Sequence, residues 1–511
     1  MTMIRSDVLS TTSLLAGLAL MTACVGPTPT GNDSTEDRLA RAAKNLQQPL
    51  VIEGQAAETW PLEERMRQFS VPGVSVAVID DYQVTAAGAW GVITAGGDEP
   101  VTTETIFQAG SVSKPVTALL TLTLVGDGEL QLDQPINEVL QSWKVPDNEF
   151  TEAAPVTLRH VMTHQAGFTP FGYLIRRSDG SVPGMAELLR GGIRDWPVVA
   201  VEFVPGSKHA YSNAGYCVLQ LVLEDTSNLS LHELSVQRIF GPLGMDDSTF
   251  NEPLSPELLA TAASGHQRKR NGEDSERSPM PVQGKAEIAP GATGGLWSTP
   301  SDLAHLTVEV MRAARGESDR LLTPPLAREF LSRQVANEGL GIYLEGDGAT
   351  LRASHGGGMT GFIAKIVFYP NVGKGAVVMA SSDGGRWLNQ ELIAAIANEY
   401  EWPGYPVRRS LSTATAEQLN ELVGVYSLDA SPKTTFTVRL EDGMPIGQIN
   451  QYPPFELKPT TEADLYVLPR ESLEILFRRS EDDMISKVTL RRAGDAGNSY
   501  TRRTGSSLPG G

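Results

Sequence analysis

The chain has 511 residues, of which 41% are hydrophobic and 20% charged, and its formal net charge is −19 at pH 7. This length exceeds that of one compact core, so we expect two or more domains. The acidic balance argues against nucleic-acid binding, because an acidic surface repels phosphate backbones. Cys24 and Cys217 are the two cysteines, which excludes a disulfide framework and a cysteine-based zinc site.

The first 24 residues have the pattern of an export signal. A short head with Arg5 precedes an apolar stretch at residues 14–21, which is too short to span a bilayer. The stretch ends in LMTAC, which resembles a bacterial lipobox, so we predict cleavage before Cys24 and lipidation of its thiol. The alternative is an ordinary secretory signal with an incidental cysteine. The sequence thus predicts an exported bacterial protein, either anchored to a membrane through a lipid or periplasmic.

Residues 25–50 are predicted to form a disordered tether. Their first half, VGPTPTGNDSTEDR, combines proline, glycine and acidic residues without an apolar period. A tether of this kind would let a folded domain stand away from a membrane surface.

Residues 51–405 carry the pattern of an α+β domain. A helix is predicted at residues 56–69, a hairpin in VPGVSVAVIDDYQVTAAGAWGV, and a helix at residues 113–126. A mostly helical middle follows, and then come the strands LGIYLEG, FIAKIVFYP and GAVVMAS and the amphipathic helix RWLNQELIAAIANEY. Strands at both ends with helices between them predict an antiparallel sheet flanked by helices, an inserted helical subdomain and a cleft between the two.

Residues 410–505 have a different pattern. Phe436, Val438 and Leu440 alternate with polar residues, and DLYVLP and SLEILFRRSEDDMISKVTLRRA also read as strands. The sequence therefore predicts a small, barrel-like, all-β C-terminal domain.

The first candidate catalytic pair is Ser111 and Lys114. At the start of a helix, residues three apart lie on one face, so the lysine can reach the serine oxygen and take its proton. Pro115 is compatible with this place because it lies in the first helical turn. Ser-x-x-Lys alone is weak evidence, because an N-cap serine followed by a solvated lysine gives the same pattern.

Two later segments add to this pair. PGSKHAYSNAGY places Tyr211 and Asn213 in a loop before an apolar helix, and SHGGGMTGF places His355, Gly357 and Gly358 before a strand. In this order, the three segments resemble the serine β-lactamase and penicillin-binding-protein superfamily, especially its class C-like esterase and D-aminopeptidase branch. The phrases VTLRHVMTHQAGF, IFGPLGMDDSTF and GATGGLWSTPSDLAHL are similar to that family as well, and the resemblance covers residues 58–400.

The resemblance implies a role for each residue. Ser111 would become an acyl-enzyme, and Lys114 and Tyr211 would exchange protons with it. Asn213 would hydrogen-bond Lys114 or the substrate amide. His355 and Gly357 would occupy the third motif, and the backbone N–H groups of Ser111 and Gly358 would form an oxyanion hole.

His355 departs from the lysine that most penicillin-recognising enzymes carry in this motif. A neutral histidine binds a carboxylate less well than a fixed cation, so the sequence favours a serine hydrolase acting on an ester, amide or peptide. The alternatives are a β-lactamase or DD-peptidase and, in another class, a non-catalytic lipoprotein that binds cell-wall peptides. No cofactor is predicted, and no metal site, because His160 and His164 lack the glutamate of a zinc-protease motif. The sequence does not determine an oligomeric state.

Overall fold

The structure is a computed structural model and describes residues 35–169, 183–191, 197–267, 278–280, 290–429, 431–493 and 497–503. The α-helices in these ranges are α1 (Thr35–Lys44), α2 (Leu62–Phe69), α3 (Ser113–Gly126), α4 (Ile136–Val139), α5 (Glu149–Ala153), α6 (Leu158–Met162), α7 (Met185–Leu189), α8 (Asn213–Ser227), α9 (Leu231–Ser235), α10 (Gly241–Leu243), α11 (Pro256–Thr261), α12 (Pro300–Arg315), α13 (Pro324–Phe330), α14 (Gly385–Glu399) and α15 (Ala416–Leu422). Within the described ranges, no helix has the length and apolar character needed to cross a bilayer.

The strands before the C-terminal domain are β1 (Leu46–Gln47), β2 (Leu50–Ile52), β3 (Thr59–Trp60), β4 (Gly73–Asp80), β5 (Gln83–Gly91), β6 (Phe107–Gln108), β7 (Gly265–Gln267), β8 (Ser278–Met280), β9 (Trp297–Ser298), β10 (Tyr343–Glu345), β11 (Arg352–Met359), β12 (Phe362–Tyr369), β13 (Lys374–Ala380) and β14 (Val407–Arg409). Six of them form an antiparallel sheet in the order β10–β11–β12–β13–β4–β5. The early hairpin β4–β5 therefore joins strands from residues 343–380, with Ala77 opposite Val377. The predicted sheet with helices inserted between its two groups of strands is confirmed.

Both faces of the six-stranded sheet are covered, because successive side chains of a strand point to opposite faces. Val74, Val76 and Val78 pack with α14 in one buried cluster. Ala77 and Ile79 belong to the other cluster, which contains α3, α8 and α12. The hairpin and the amphipathic helix predicted for these segments are both present.

Helix α3 lies inside the cluster that also contains α8 and α12, and every residue from Ser113 to Leu124 is buried. Its bounds agree with the predicted helix at residues 113–126. A helix that is buried on all sides is held rigidly by its neighbours. Ser111 lies two residues before its start, so the position of Ser111 is fixed as well.

The tether prediction was wrong for residues 35–50. This range contains α1, β1 and the start of β2, and Leu39, Ala42 and Leu46 are buried in the cluster that contains α14. The apolar face of α1 was missed because charged residues surround it in the sequence. One of these, Arg38, also binds the folded domain, since its Nε and Nη2 donate to the carbonyl oxygen of Glu399. Residues 1–34, which include the predicted signal and Cys24, lie outside the described residues.

One predicted helix start is also corrected. The helix expected at residues 56–69 begins at Leu62, because Pro61 adopts an extended conformation as its N-cap and residues 59–60 form β3. Helix α12 is capped by Thr299, which accepts a hydrogen bond from the Asp302 backbone at 3.1 Å.

The C-terminal domain is a nine-stranded antiparallel sheet with α15 beside it. Its strands are β15 (Gly424–Leu428), β16 (Ser431–Glu441), β17 (Met444–Ile449), β18 (Phe455–Glu456), β19 (Lys458–Pro459), β20 (Leu465–Leu468), β21 (Leu473–Arg479), β22 (Ile485–Arg492) and β23 (Asn498–Arg502), in the order β18–β17–β16–β15–β23–β22–β21–β20–β19. The two edge strands, β18 and β19, are separated in the chain only by buried Leu457. The sheet therefore curls back on itself around one core, as a barrel-like domain does.

The C-terminal domain contacts the rest of the protein through a buried carboxylate. Glu474 is 1% exposed and pairs with Arg409 at 2.7 Å and with Arg491 at 3.0 Å. Nearby, β14 runs parallel to β2, and Leu50 and Ile52 pack against Val467 and Ala493. One buried acid thus binds an arginine from each side of the contact.

Candidate active site

Ser111 lies in a single helical turn, Gly110–Val112, immediately before α3. Gly110 has φ of +55°, a left-handed conformation that glycine adopts without a steric penalty. Ser111 is half-buried and lines a cavity of about 480 Å³. The cavity also receives side chains or backbone from Tyr211, Tyr343 and the glycines of β11.

Lys114 is completely buried beneath Ser111. Its Nζ donates to Ser111 Oγ at 3.1 Å and to the carbonyl oxygen of Thr293 at 2.8 Å. Burial disfavours the charged ammonium and lowers the pKa of Lys114 to about 7. The amine is therefore unprotonated in a large fraction of molecules near neutral pH, and its lone pair can then accept the serine proton.

Tyr211 stands beside this pair on the loop before α8. Its ring centre is 4.9 Å from Lys114 Nζ, and the residue is 44% exposed toward the cavity that it lines. Asn213 is the first residue of α8 and is half-buried, with Ser212 as its N-cap. Tyr211 is one of the described residues that line the cavity, and Asn213 is not.

At the site, one edge of strand β11 has no strand partner among the residues that the structure describes. It pairs with β10 only through residues 352–354, whereas residues 353–359 pair with β12 on the other side. A Cβ at Gly357 would overlap the carbonyl oxygen of Ala109, and one at Gly110 would lie 2.7 Å from the nitrogen of Gly358. Glycine is therefore required where this edge meets the turn that carries Ser111.

This approach brings the two predicted oxyanion donors onto adjoining backbone segments. The position of a Cβ on Gly357 would be 3.1 Å from the Ser111 nitrogen, and the next residue is Gly358. Backbone N–H groups held by a strand and a helical turn do not reorganise when charge develops, which makes them effective donors to an oxyanion.

His355 is 2% exposed and lies against the same cavity. Its Nδ1 is 2.8 Å from the carbonyl oxygen of Gly356, so Nδ1 carries the proton and Nε2 is an acceptor. Its ring stacks on Tyr343 with centres 5.4 Å apart. Burial, followed by the nearby Lys114, lowers the pKa of His355 to about 3, so this side chain is uncharged at neutral pH.

The far end of the cavity lies between β12, α14 and the C-terminal domain. Its polar lining includes Lys365, Arg386, Asn389 and Gln390, and the C-terminal domain contributes Ala493. Cations therefore line the cavity on β12 and α14, and Arg352 lines it from the start of β11, three residues before His355.

Sequence reasoning missed three contributors to the site. Thr293, which accepts from Lys114, lies in GATGG, a phrase that we assigned only to the family resemblance. Tyr343 lies in a predicted strand, and nothing in that strand's pattern marked it. His164, which we considered only as a metal ligand and rejected, has its ring centre 4.3 Å from that of Tyr211.

No group of side chains in the described ranges has the composition of a metal site. Cys217 is buried in α8, and burial raises the pKa of its thiol to about 12, as expected for a packed core residue. The site therefore offers a serine, a lysine and a tyrosine as its chemical groups.

The Beta-lactamase family model matches residues 62–401, more than half of the chain, so the chain belongs to the Beta-lactamase family. Penicillin-binding protein 4 of Amycolatopsis lactamdurans is 29% identical over 270 residues, which cover 53% of this chain and 65% of that protein. Esterase EstB of Burkholderia gladioli is 29% identical over 198 residues, which cover 37% of this chain and 49% of the esterase. The chain thus spans less than two thirds of the length of these two relatives.

Among solved structures, the octameric penicillin-binding protein homologue from Pyrococcus abyssi aligns with a TM-score of 0.56 and 21% sequence identity. The alignment covers 86% of this chain and 98% of that one. At this identity the likeness shows the fold alone. The family and the fold that the sequence motifs predicted are confirmed.

Proposed function

We propose that this protein is a serine hydrolase that cleaves ester or amide bonds through an acyl-enzyme on Ser111. The observation that carries the proposal is the buried Lys114, whose Nζ is 3.1 Å from Ser111 Oγ and whose pKa is lowered to about 7. A surface lysine would remain protonated at neutral pH and could not act as a base.

In the first half of the reaction, neutral Lys114 accepts the proton of Ser111 Oγ while that oxygen attacks the substrate carbonyl carbon. The Ser111 and Gly358 N–H groups stabilise the oxyanion of the tetrahedral intermediate. The carbonyl then re-forms, the bond to the leaving group breaks, and the Tyr211 hydroxyl passes a proton from Lys114 to the departing alcohol or amine.

In the second half, a water molecule attacks the carbonyl carbon of the acyl-enzyme, and Lys114 and Tyr211 accept the proton that the water loses. The Ser111–acyl bond breaks, Ser111 regains its proton, and the acid product leaves. Asn213, at the start of α8, would hydrogen-bond Lys114 or the substrate amide, since a lysine ammonium has three N–H donors and Lys114 directs two of them at Ser111 and Thr293.

Neutral esters, amides or peptides are the proposed substrates. The third motif presents the uncharged His355 beside the cavity, so it offers no fixed cation for a substrate carboxylate next to the scissile bond. The second candidate function is hydrolysis of penicillins or D-Ala-D-Ala peptides. The presence of Lys365 and Arg386 in the same cavity favours it.

The test is turnover of a short-chain nitrophenyl ester by protein lacking residues 1–24. We expect Ser111→Ala to lower kcat by about 1,000-fold or more without a change in the thermal transition. The matched control is Ser412→Ala, which removes an exposed hydroxyl and should keep wild-type kcat. Equal rates for Ser111→Ala and wild type would disprove the nucleophile and favour a peptide-binding role for the cavity.

We also propose export and attachment to a bacterial membrane through a lipid on Cys24. The proposal rests on LMTAC at the end of an apolar stretch too short to span a bilayer. In a Gram-negative host the protein should partition into detergent, and Cys24→Ser should release it or stall its processing. A wild-type protein that fractionates as wholly soluble, with its mature N-terminus elsewhere, would refute the anchor.

A further inference from the structure

We propose that His164 is a positioning residue that holds Tyr211 against Lys114 by binding the backbone on both sides of the tyrosine. The inference rests on the proposed function, because it assigns to His164 an effect on a proton-transfer group. His164 lies beyond the end of α6, 47 positions before Tyr211 in the chain.

The backbone on each side of Tyr211 donates to the same residue. The N–H of Ala210 donates to the carbonyl oxygen of His164 at 2.7 Å, and the N–H of Ser212 donates to His164 Nδ1 at 3.1 Å. Two bonds that flank one residue fix its backbone and the direction of its Cα–Cβ bond. The loop segment that carries Tyr211 therefore cannot shift away from Lys114 unless one of these bonds breaks.

The ring of His164 also supports the ring of Tyr211. The two ring centres are 4.3 Å apart with an angle of 37° between the planes, and Tyr216 lies 5.4 Å from His164. Tyr211 is 44% exposed, so its ring packs on protein over only part of its surface. The imidazole therefore packs against the ring of Tyr211, whose centre is 4.9 Å from Lys114 Nζ.

The backbone of His164 is itself unusual. Its φ is +55°, a left-handed conformation that non-glycine residues adopt rarely and at an energetic cost. This conformation allows the carbonyl oxygen of His164 to accept from Ala210 while its Nδ1 accepts from Ser212, two residues further along the same loop.

The protonation state of His164 agrees with this role. Because Nδ1 accepts from a backbone N–H, the ring proton is on Nε2 and the ring is neutral. Burial, followed by Lys114, His209 and His355, lowers the pKa of His164 well below its usual range. The ring therefore supports Tyr211 without adding a positive charge beside the lysine.

The experiment uses His164→Asn and His164→Gly, each in wild-type and Tyr211→Phe backgrounds. Both replacements tolerate a left-handed backbone, and the asparagine oxygen can still accept from Ser212. We expect kcat for the nitrophenyl ester to fall about 10-fold for asparagine and about 100-fold for glycine, with KM nearly unchanged. In the Tyr211→Phe background, the same changes should lower kcat by less than about two-fold.

The matched control is His160→Asn, which removes a half-buried ring from α6 that packs at Gly206 and not at Tyr211. It should keep kcat within about two-fold of wild type in both backgrounds. Equal losses from His164→Asn with and without the Tyr211 hydroxyl would overturn the inference, since a general structural defect is additive. If glycine prevents folding, as judged by thermal unfolding, the asparagine variant carries the test.

The two hypotheses fail in different ways. Wild-type kcat in Tyr211→Phe alone would refute the role of Tyr211 in the proposed function, and with it any positioning of that role by His164. A large loss in Tyr211→Phe together with wild-type kcat in His164→Gly would leave the proposed function standing and overturn this inference.

Discussion

The six-stranded sheet and the nine-stranded sheet manage their edges in opposite ways. The nine-stranded sheet curls until its edge strands are separated only by buried Leu457, so its core is enclosed. The six-stranded sheet has helices on both faces, but beyond residue 354 no described strand pairs with one edge of β11. The candidate chemistry lies at that open edge, where backbone N–H groups are available to a substrate.

One glycine from each sheet shows a similar difference. Gly357 is pressed against Ala109 beside the turn that carries Ser111, whereas Gly443, in the hairpin between β16 and β17, has no neighbouring atom where a Cβ would lie. Gly357 permits two backbones to approach, and Gly443 permits a turn with φ of +78°. Substitutions can therefore separate the chemistry of one sheet from the stability of the other.

The largest expected effect is that of Gly357→Ala. Its methyl group would overlap the Ala109 carbonyl and push β11 away from Ser111, so we expect kcat for the nitrophenyl ester to fall by about 100- to 1,000-fold. Gly443→Ala is the control, because it costs about 1 kcal/mol through its positive φ and should leave kcat unchanged. Steady-state kinetics and thermal unfolding of both variants measure the contrast. Comparable kcat values in the two variants would contradict it.

The next effect concerns the buried charge of Lys114. Folding lowers its pKa from 10.5 to about 7, so between these pH values the unfolded chain binds more protons than the folded one. The cost of burying the ammonium is therefore full below pH 7 and is lost as the pH rises to 10.5. Below pH 7, the free energy of unfolding of Lys114→Met should exceed that of wild type by a few kcal/mol, at about 1.4 kcal/mol per pKa unit. Above pH 7 this difference should become progressively smaller.

Denaturant unfolding of Lys114→Met and wild type between pH 6 and about pH 10 measures this difference. Lys208→Met, which changes an exposed lysine, is the control and should show no such trend. A difference that is constant with pH would mean that Lys114 is protonated throughout, and it could not then be the base.

A smaller effect on activity is expected when the C-terminal domain is removed. A chain ending at Arg409 keeps β14 but exposes Leu50 and Ile52, at a cost of about 1.5–3 kcal/mol for each side chain. It should fold with a lower transition temperature and keep kcat, while KM changes because Ala493 no longer lines the cavity. Circular dichroism and kinetics test this, and a chain that does not fold would show that the catalytic region depends on its neighbour.

The smallest effect is a change of specificity by His355→Lys. A fixed cation at the third motif should raise the kcat/KM ratio of a carboxylate-bearing substrate to a neutral ester several-fold, or by about 1 kcal/mol. His305→Lys, on the exposed face of α12, is the matched control. A ratio that is unchanged or lower in His355→Lys would contradict the role assigned to this histidine. Efficient penicillin hydrolysis by the unmodified protein would overturn the preference for neutral substrates.

Much of this arrangement could be predicted from the sequence because it is local. The alternation of Val74, Val76 and Val78 indicated a covered strand face, and the apolar run after Lys114 indicated α3. The family followed from the order of three short motifs. Each of these features lies within a window in which spacing determines which side chains share a face.

Contacts between distant parts of the chain could not be predicted in this way. Lys114 contacts the carbonyl of Thr293, which is 179 residues away, and the pattern of α1 did not indicate that it would pack on α14. The sequence pattern around His164 did not indicate its bonds to the loop of Tyr211, because they depend on a left-handed backbone. Tertiary contacts alone give these residues their roles.

The most direct test of the account is covalent labelling of the nucleophile with a fluorophosphonate, located by mass spectrometry of the digested protein. We predict one adduct, on Ser111, with a labelling rate that falls as the pH drops below about 7 because Lys114 becomes protonated. Ser111→Ala should take up no label, and Ser412→Ala should be labelled like wild type. An adduct on another residue, or equal labelling of Ser111→Ala, would contradict the assignment of Ser111 and Lys114 as nucleophile and base.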